Sequence, residues 1–217
     1  MNYVRSAARK IKNKYFKSFD DYQVEMFINK ASYKQNKDAI KYPFLLRNFK
    51  NSEIYNVYNL MLDTNLIDRS FALDDYKREL TLCLPNGRVV IENQQTKEII
   101  GTFLSRHNFD GLHHYSAQLD WLTVKTKYRG NHLGLILTAH LVKQSFKSGY
   151  NIVFVATNDN RLAAISTYLK LGFLPNLFNS NQIIRWKKIF KNLNIDFDLN
   201  YLNEQKIKNN IHSFLTK

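Results

Sequence analysis

Cysteine is nearly missing from this chain, with Cys83 alone among 217 residues. A single thiol excludes an internal disulfide framework, so a reducing compartment, the cytoplasm, is the simpler expectation. Set in Thr81-Leu82-Cys83-Leu84-Pro85 with no catalytic motif around it, Cys83 reads as a buried hydrophobe and not as a nucleophile. No apolar run nears the roughly 18 residues that cross a bilayer, so a soluble protein without a transmembrane segment is expected. Internal repeats are missing too, as are zinc-type spacings, a recognition-helix pattern and an aromatic RNA-binding motif. No pair of histidines has metal spacing, and no metal is expected. Acids are missing from the first 19 residues.

The composition, 44% hydrophobic and 14% aromatic, suits one globular domain with a sizeable core. The net charge of +14 gathers at the ends: residues 1–41 hold 10 Lys/Arg against 4 Asp/Glu, and residues 181–217 hold 7 against 3. These basic ends leave contact with nucleic acid, ribosome or an anionic surface open, on charge alone. In the first 19 residues Val4, Ala8, Ile11, Tyr15 and Phe19 fall on one face of a helix. Such a helix could pack on the domain, lie on an anionic surface or serve as an organelle transit segment. A secretory signal is not expected, because no apolar core with a small-residue cleavage site follows.

The chain divides into a basic, helical N-terminal extension (1–41), a catalytic-sized domain (42–180) and a strand/helix C-terminal extension (181–217). Residues 22–41 are mixed and polar, a second helix or a connector. Phe44 to Phe49 reads as the first strand. Ile54, Val57, Tyr58, Met61 and Leu62 follow at helical spacing, with Asn51 or Ser52 as cap. Asp68 to Leu82 holds another helix, in which Tyr76 and Leu80 share a face. Pro85-Asn86-Gly87 has the chemistry of a hairpin turn. Strands at 88–92 and 98–105 flank a polar turn, and Gly101 inside the second marks a bulge or a close backbone approach. His107 to His114 is a loop. Ile183, Ile184, Trp186 and Ile189 follow late in the chain, and a last helix is expected near 202–215.

The most informative stretch is Leu119 to Pro175. Leu119, Trp121 and Thr123 alternate with Asp120, Leu122 and Val124, the period of a strand. From Gly134 the residues Leu135, Leu137, Leu141, Val142 and Phe146 recur at helical spacing, closed by Ser148-Gly149. Ile152 to Val155 is a β-branched run, and Arg161 to Leu171 is helical, ended by Gly172. Strand, helix and strand in this order imply a parallel or splayed pair joined by a right-handed crossover. Between them, Arg129-Gly130-Asn131-His132-Leu133-Gly134 sets a cation, two glycines and consecutive amides at the positive end of a helix. That turn is either a pyrophosphate site or a basic surface loop capping the helix.

With Asn158-Asp159-Asn160 after the second strand, Ala163-Ala164 on the second helix, and Tyr168 before Leu171-Gly172-Phe173, the stretch resembles motifs A and B of the GNAT superfamily, the acetyl-coenzyme A (acetyl-CoA) dependent N-acetyltransferases. The resemblance is close over 119–175 and extends by element order over 44–178. The family turn is Q/R-x-x-G-x-G/A: Arg129 and Gly134 fit it, while His132 occupies the inner glycine position, a residue that tolerates positive φ better than most. Arg161 stands where the family commonly has asparagine, and Asn160 lies one residue earlier.

The resemblance implies an α/β fold with a mixed, mainly antiparallel central sheet, a splayed parallel pair and flanking helices. It implies acetyl transfer from acetyl-CoA to an amine acceptor by direct attack, without an acyl-enzyme. Main-chain groups around Leu122, Thr123 and Val124 would pair with the pantetheine arm. The amides of Gly130, Asn131, His132, Leu133, Gly134 and Leu135 would hold the pyrophosphate beside Arg129, and Asn160 and Ala164 would complete the cofactor contacts. Tyr168 would protonate the leaving thiolate, the competing reading being an amphipathic core tyrosine. Asp120 is the first candidate for the base and Gln118 could order a water, both expected on the face of Leu122 and Val124; His107, His113 and His114 have suitable chemistry but sit in a loop. A non-catalytic GNAT-fold binding module that uses its basic ends is the alternative from another class. The acceptor, the acyl length and the oligomeric state stay open.

Overall fold

The computed structural model describes residues 23–36, 39–108, 113–200 and 202. Strands β1 (Val24–Asn29), β2 (Phe44–Asn48), β3 (Cys83–Asn93), β4 (Glu98–His107), β5 (Ala117–Val124), β6 (Ile152–Thr157) and β7 (Leu174–Pro175) form one sheet in the order β2-β3-β4-β5-β6-β1-β7. Every pair is antiparallel except β5 and β6. Helices α1 (Ile54–Asp63) and α2 (Leu73–Leu80) pack on one face, and α3 (Leu133–Lys147), α4 (Leu162–Leu171) and α5 (Ser180–Asn192) on the other. This is the mixed α/β sheet with flanking helices that the element order predicts.

Periodicity explains the two layers. Val57, Leu60 and Met61 of α1 and Tyr76 and Leu80 of α2 pack against Val90 and Leu104. Leu137, Leu141 and Val142 of α3, Ile165 of α4 and Trp186 of α5 pack against Val89, Ile91 and Leu119. Cys83 lies under α1 and α2, where burial pushes its thiol up to about 12, consistent with an inert hydrophobe. α5 is capped by Asn179, whose Oδ1 accepts the Gln182 N–H at 2.8 Å. α1 is entered differently from expectation: a 3-10 turn, Asn51–Glu53, precedes it, and the Glu53 carboxylate, not Asn51 or Ser52, accepts the Lys50 N–H at 2.7 Å.

β1 corrects the reading of residues 22–41 as a helix or connector. All six of its residues are buried. It pairs with β6 from Val24↔Thr157 to Asn29↔Ile152, and with β7 at Met26↔Pro175 and Phe27↔Leu174. Glu25 and Asn29 interrupt the apolar pattern, and their partners lie far away in sequence or in the following turn. Glu25, 1% exposed, accepts from Asn176 Nδ2 at 2.8 Å and from His113 Nε2 at 3.1 Å. Glu25→Met keeps the length but removes the Oε2 that both donors share. It is expected to cost about 1–3 kcal/mol in denaturant unfolding, and a loss below about 0.5 kcal/mol would mean that this network is not formed. The helical reading of residues 1–19, and that of 202–215 past Leu202, lie outside the described residues.

One further difference and one agreement concern glycine. Asn86-Gly87 makes no hairpin. It is a bulge within β3, where the register passes from Cys83↔Arg106 to Arg88↔Leu104, and a Cβ on Gly87 would lie 2.3 Å from the Ser105 carbonyl oxygen. The turn dipeptide meets no returning strand; Asn86 Oδ1 instead accepts from Asn48 Nδ2 at 2.8 Å. At Gly101 the close approach predicted from sequence is present, since a Cβ there would meet the Thr123 carbonyl oxygen at 3.2 Å.

Candidate active site

The parallel pairing of β5 and β6 runs only from Ala117↔Val153 to Leu119↔Val155. Past Leu119 the two strands part, and a wedge opens toward the C-terminal ends of both. On its other side β5 is bulged: Leu104 faces Asp120 and Thr102 faces Thr123, so Phe103 alone spans Trp121 and Leu122. Trp121 takes φ +69° to accommodate the extra residue. Its ring lies 5.0 Å from Phe71 and 6.4 Å from Tyr76 beneath α1 and α2.

The bulge resets the alternation of β5, which corrects one expectation. Asp120 pairs across with Leu104, and Gln118 with Arg106, on the α1/α2 face. Leu119, Leu122 and Val124 pack on the α3/α4 face. Gln118 and Asp120 therefore do not share the face of Leu122 and Val124. Thr123 turns to the α1 side, where its Oγ1 donates to Thr64 Oγ1 at 2.8 Å.

After β5 a 3-10 turn (Thr126–Tyr128) leads into Arg129-Gly130-Asn131-His132. It is tied down at Glu98, which accepts from Lys125 Nζ at 2.8 Å and from Tyr128 Oη at 3.1 Å, with Lys127 Nζ at 3.1 Å. The Lys125 hydrogen bond is the main reason that the Glu98 carboxyl is held down to about 2. Glu98 thus balances the lysines, and Arg129, whose Nε donates to the Val124 carbonyl at 3.1 Å, remains the exposed cation of the turn. Gly130 has φ +85°, and His132 precedes α3 in the left-handed region at φ +55°, the conformation that a glycine would supply there. The first helical hydrogen bond of α3 is Ile136 N–H to the His132 carbonyl, so the amides of Leu133, Gly134 and Leu135 lie ahead of the ladder. A Cβ on Gly130 or Gly134 would meet nothing within 4 Å. Open space, a cation and helix N-terminal amides together suit an anion of pyrophosphate type.

α4 borders the other side of the wedge. Asn160 is exposed, Ala164 is half-buried, and Arg161 opens the helix. Tyr168, 3% exposed, packs its ring 5.5 Å from Phe173. Burial pushes its phenol above the ordinary range, the Arg161 guanidinium draws it back, and the Asp120 carboxylate adds to the rise. Arg161 and Asp120, from two elements, thus both lie within electrostatic reach of Tyr168. Burial thus sets this phenol further above a thiol near 8.5 than an ordinary phenol lies. Asp120 is engaged at both oxygens: Oδ2 bonds Arg106 Nε and Oδ1 accepts from Gln118 Nε2 at 3.0 Å, while Arg106 Nη1 reaches Glu79 at 3.5 Å.

The three histidines of the expected loop diverge, and His107 belongs to β4 as its last residue. His107 Nδ1 meets Tyr150 Oη, His114 is exposed, and His113 is buried against Phe27 and Phe154 with ring centroids at 4.7 and 4.8 Å. Sequence reasoning saw Arg161 only as a departure from the family asparagine and missed Arg106, whose cross-strand register is not visible locally. Among the described residues no group of three or more His, Cys, Asp or Glu could hold a metal, and no helix is long and apolar enough to cross a membrane.

The sequence profile of the acetyltransferase (GNAT) family matches residues 54–173, from the start of α1 to the residue before β7. Similar solved structures include a GCN5-related N-acetyltransferase from Sphaerobacter thermophilus, with TM-score 0.59 and 12% identity over 79% of this chain and 53% of that one. An acetyltransferase of the family from Colwellia psychrerythraea aligns with TM-score 0.55 and 13% identity over 71% of this chain and 53% of that one. The glucosamine N-acetyltransferase region of a fungal multi-domain GH3 β-N-acetylglucosaminidase aligns with TM-score 0.54 and 14% identity over 79% of this chain and 22% of that one. This chain spans about half the length of the first two. At such identities the likeness is one of fold. No curated protein matches the chain in sequence. The profile, however, covers more than half of the 217 residues and contains both the bulged strand and the phosphate-type turn, and the chain belongs to the GNAT acetyltransferase family.

Proposed function

We propose that this protein transfers the acetyl group of acetyl-CoA to a primary amine, of a small molecule or a protein, by direct attack in a ternary complex. The observation that carries the reading is the wedge between β5 and β6, with the turn 129–135 after β5 and with Asp120, the first residue past the parting, within electrostatic reach of the buried Tyr168. Acetyl-CoA fits this arrangement. The amides of Gly130 to Leu135 and the Arg129 guanidinium would hold the pyrophosphate, and main-chain groups of Leu122, Thr123 and Val124, on the edge of β5 that β6 leaves, would pair with the pantetheine arm. Asn160 and Ala164 would border it from the α4 side.

The amine nitrogen attacks the thioester carbon, the carbon–sulfur bond breaks, and its electron pair stays on sulfur. Tyr168 offers its O–H to that sulfur. Asp120, or a water ordered by Gln118, takes the ammonium proton; the Arg106 bond to Asp120 fixes the carboxylate in place for that role. No metal enters this reading.

The test is calorimetric titration with acetyl-CoA, with desulfo-coenzyme A as control, followed by an amine-acceptor screen. Saturable binding in the micromolar range is expected. No binding, together with salt-sensitive retention on an anionic matrix, would replace this reading by a non-catalytic module working through its basic ends. Tyr168→Phe is expected to lower kcat by roughly 10²-fold with acetyl-CoA affinity nearly intact, since only the departing sulfur loses a donor. An unchanged kcat removes Tyr168 from the reaction and leaves it a core tyrosine.

A further inference from the structure

The bulge of β3 forms a cavity apart from the wedge. Residues 84–87 stand opposite Ser105 alone, so the chain swings out through the exposed Pro85 and Asn86, the latter at φ +57°, before Arg88 rejoins Leu104. Against this swing lies a cleft of about 730 Å³, walled by the bulge, the segment after β2, the start of α1 and the end of α2. That is the size of a small-molecule site. β4 divides it from the wedge: Arg88 pairs with Leu104, which is 0% exposed, and Leu104 pairs with Asp120.

The lining selects a charge. Among the described residues no carboxylate side chain lines the cleft, and two cations do. Lys77 is already bonded to Asp74 at 2.9 Å. Arg88 is half-buried and forms no ion pair among the described residues, yet its guanidinium is held in place. Nη1 donates to Asn51 Oδ1 at 3.0 Å, and the guanidinium carbon lies 5.5 Å from the centroid of the Phe49 ring. A planar fork fixed in this way keeps its other N–H groups for a bidentate acceptor, and a carboxylate matches that geometry. The helix dipoles do not decide the matter, because α1 begins at the cleft and α2 ends at it, so opposite poles meet there. One available guanidinium therefore suits a single negative charge better than a phosphate dianion.

The remaining wall is mixed. Ile54 and Leu80 give it apolar surface, and Asn48 is held to Asn86 across the rim at 2.8 Å. Two lining residues, Cys83 and Arg88, lie within electrostatic reach of the Tyr76 hydroxyl. That hydroxyl is buried without a hydrogen-bond partner among the described residues, so an unpaired polar group stands beside the cleft as well.

We propose that this cleft binds a small organic carboxylate with an apolar body, its two oxygens on Arg88 and its carbon frame against Ile54 and Leu80. The site is separate from acetyl transfer: its occupant stays on the far side of β4 from Asp120 and does not enter the wedge.

Calorimetric titration of the full chain with 3-phenylpropionate, 2-naphthoate and octanoate tests the proposal, with 3-phenylpropanamide as the uncharged control. At least one acid is expected to saturate with a Kd between about 10 μM and 1 mM, and the amide to bind at least about 10-fold more weakly than its acid. Saturating acetyl-CoA leaves the acid's affinity within about twofold, as for sites that share no partner. Arg88→Met lowers the affinity for the acid at least about 10-fold and leaves that for the amide nearly unchanged. Thr81→Trp fills the rim from an exposed position and weakens acid and amide together, so the location is tested even where Arg88→Met does not fold. No saturation by any of the three acids below about 10 mM overturns the proposal, as does an amide that binds as well as its acid. Unchanged affinity in either variant places the acid elsewhere, and displacement by acetyl-CoA places it in the wedge; each result overturns the site while leaving the acetyl-transfer reading untouched.

Discussion

Gly134→Asp is expected to lower acetyl-CoA affinity by at least about 100-fold, or about 2.7 kcal/mol, while leaving the thermal melt unchanged or slightly raised. The two halves of that result have separate causes. A Cβ at position 134 meets nothing within 4 Å, so the aspartate side chain has room, and Gly134 is not among the residues of positive φ. An acid in the first turn of α3 also complements the helix dipole, worth a few tenths of a kcal/mol. The same side chain, however, places a negative charge where the pyrophosphate would approach the amides of Leu133 to Leu135. Calorimetric titration and a melt on one preparation check both halves, with Gly134→Ala as the control that adds bulk without charge. Undiminished binding by the aspartate variant would mean that this turn does not hold the phosphates.

Gly172→Ala is expected to remove roughly 3–5 kcal/mol of stability, lowering Tm by about 6–20 °C at 2–4 °C per kcal/mol. Gly172 ends α4 at φ +95°, where any side chain is strained. A Cβ there would lie 2.0 Å from the Ser32 carbonyl oxygen and 3.0 Å from its carbon. Ser32 cannot easily retreat. Its N–H donates to Asn29 Oδ1 at 2.9 Å, and the Lys34 N–H donates to the Leu171 carbonyl at 2.8 Å, stitching the segment after β1 to the end of α4. Chemical denaturation measures the loss. A change below about 1 kcal/mol would mean that residues 29–34 do not pack against α4 as described.

Legibility in the sequence followed locality. Gly172 was readable as the stop of α4 because a helix end is written within one turn, and α3 and α4 lie within a residue or two of their predicted bounds. The splayed pair followed from strand-helix-strand order. β1 was not readable, because what makes Val24 to Asn29 a strand is the pair of strands made some 130 to 150 residues later, and what permits Glu25 inside it is His113 and Asn176. The bulge at Trp121 was equally hidden: period 2 runs unbroken through the letters, and only Phe71, Tyr76 and the register with Phe103 turn the indole aside. In the site, the turn chemistry could be read from Arg129 to Gly134. The engagement of Asp120 by Arg106 could not, since it depends on cross-strand placement.

The place of β1 between β6 and β7 also sets an order of events during synthesis. Its six buried residues leave the ribosome well before Thr157, the pairing partner of Val24, has been made. At roughly 5–20 residues per second, an apolar strand with two open edges waits on the order of ten seconds for its neighbours. Loop closure over such a separation is slow relative to the local pairing of β3, β4 and β5. The meander with α1 and α2 can therefore assemble first, leaving the β5 edge bare until α3 and β6 arrive, and the sheet is completed by the first of its strands to be made. Whatever precedes β1 is thus carried along until the end, and a bulky fusion at that side would be borne by the strand whose insertion finishes the fold.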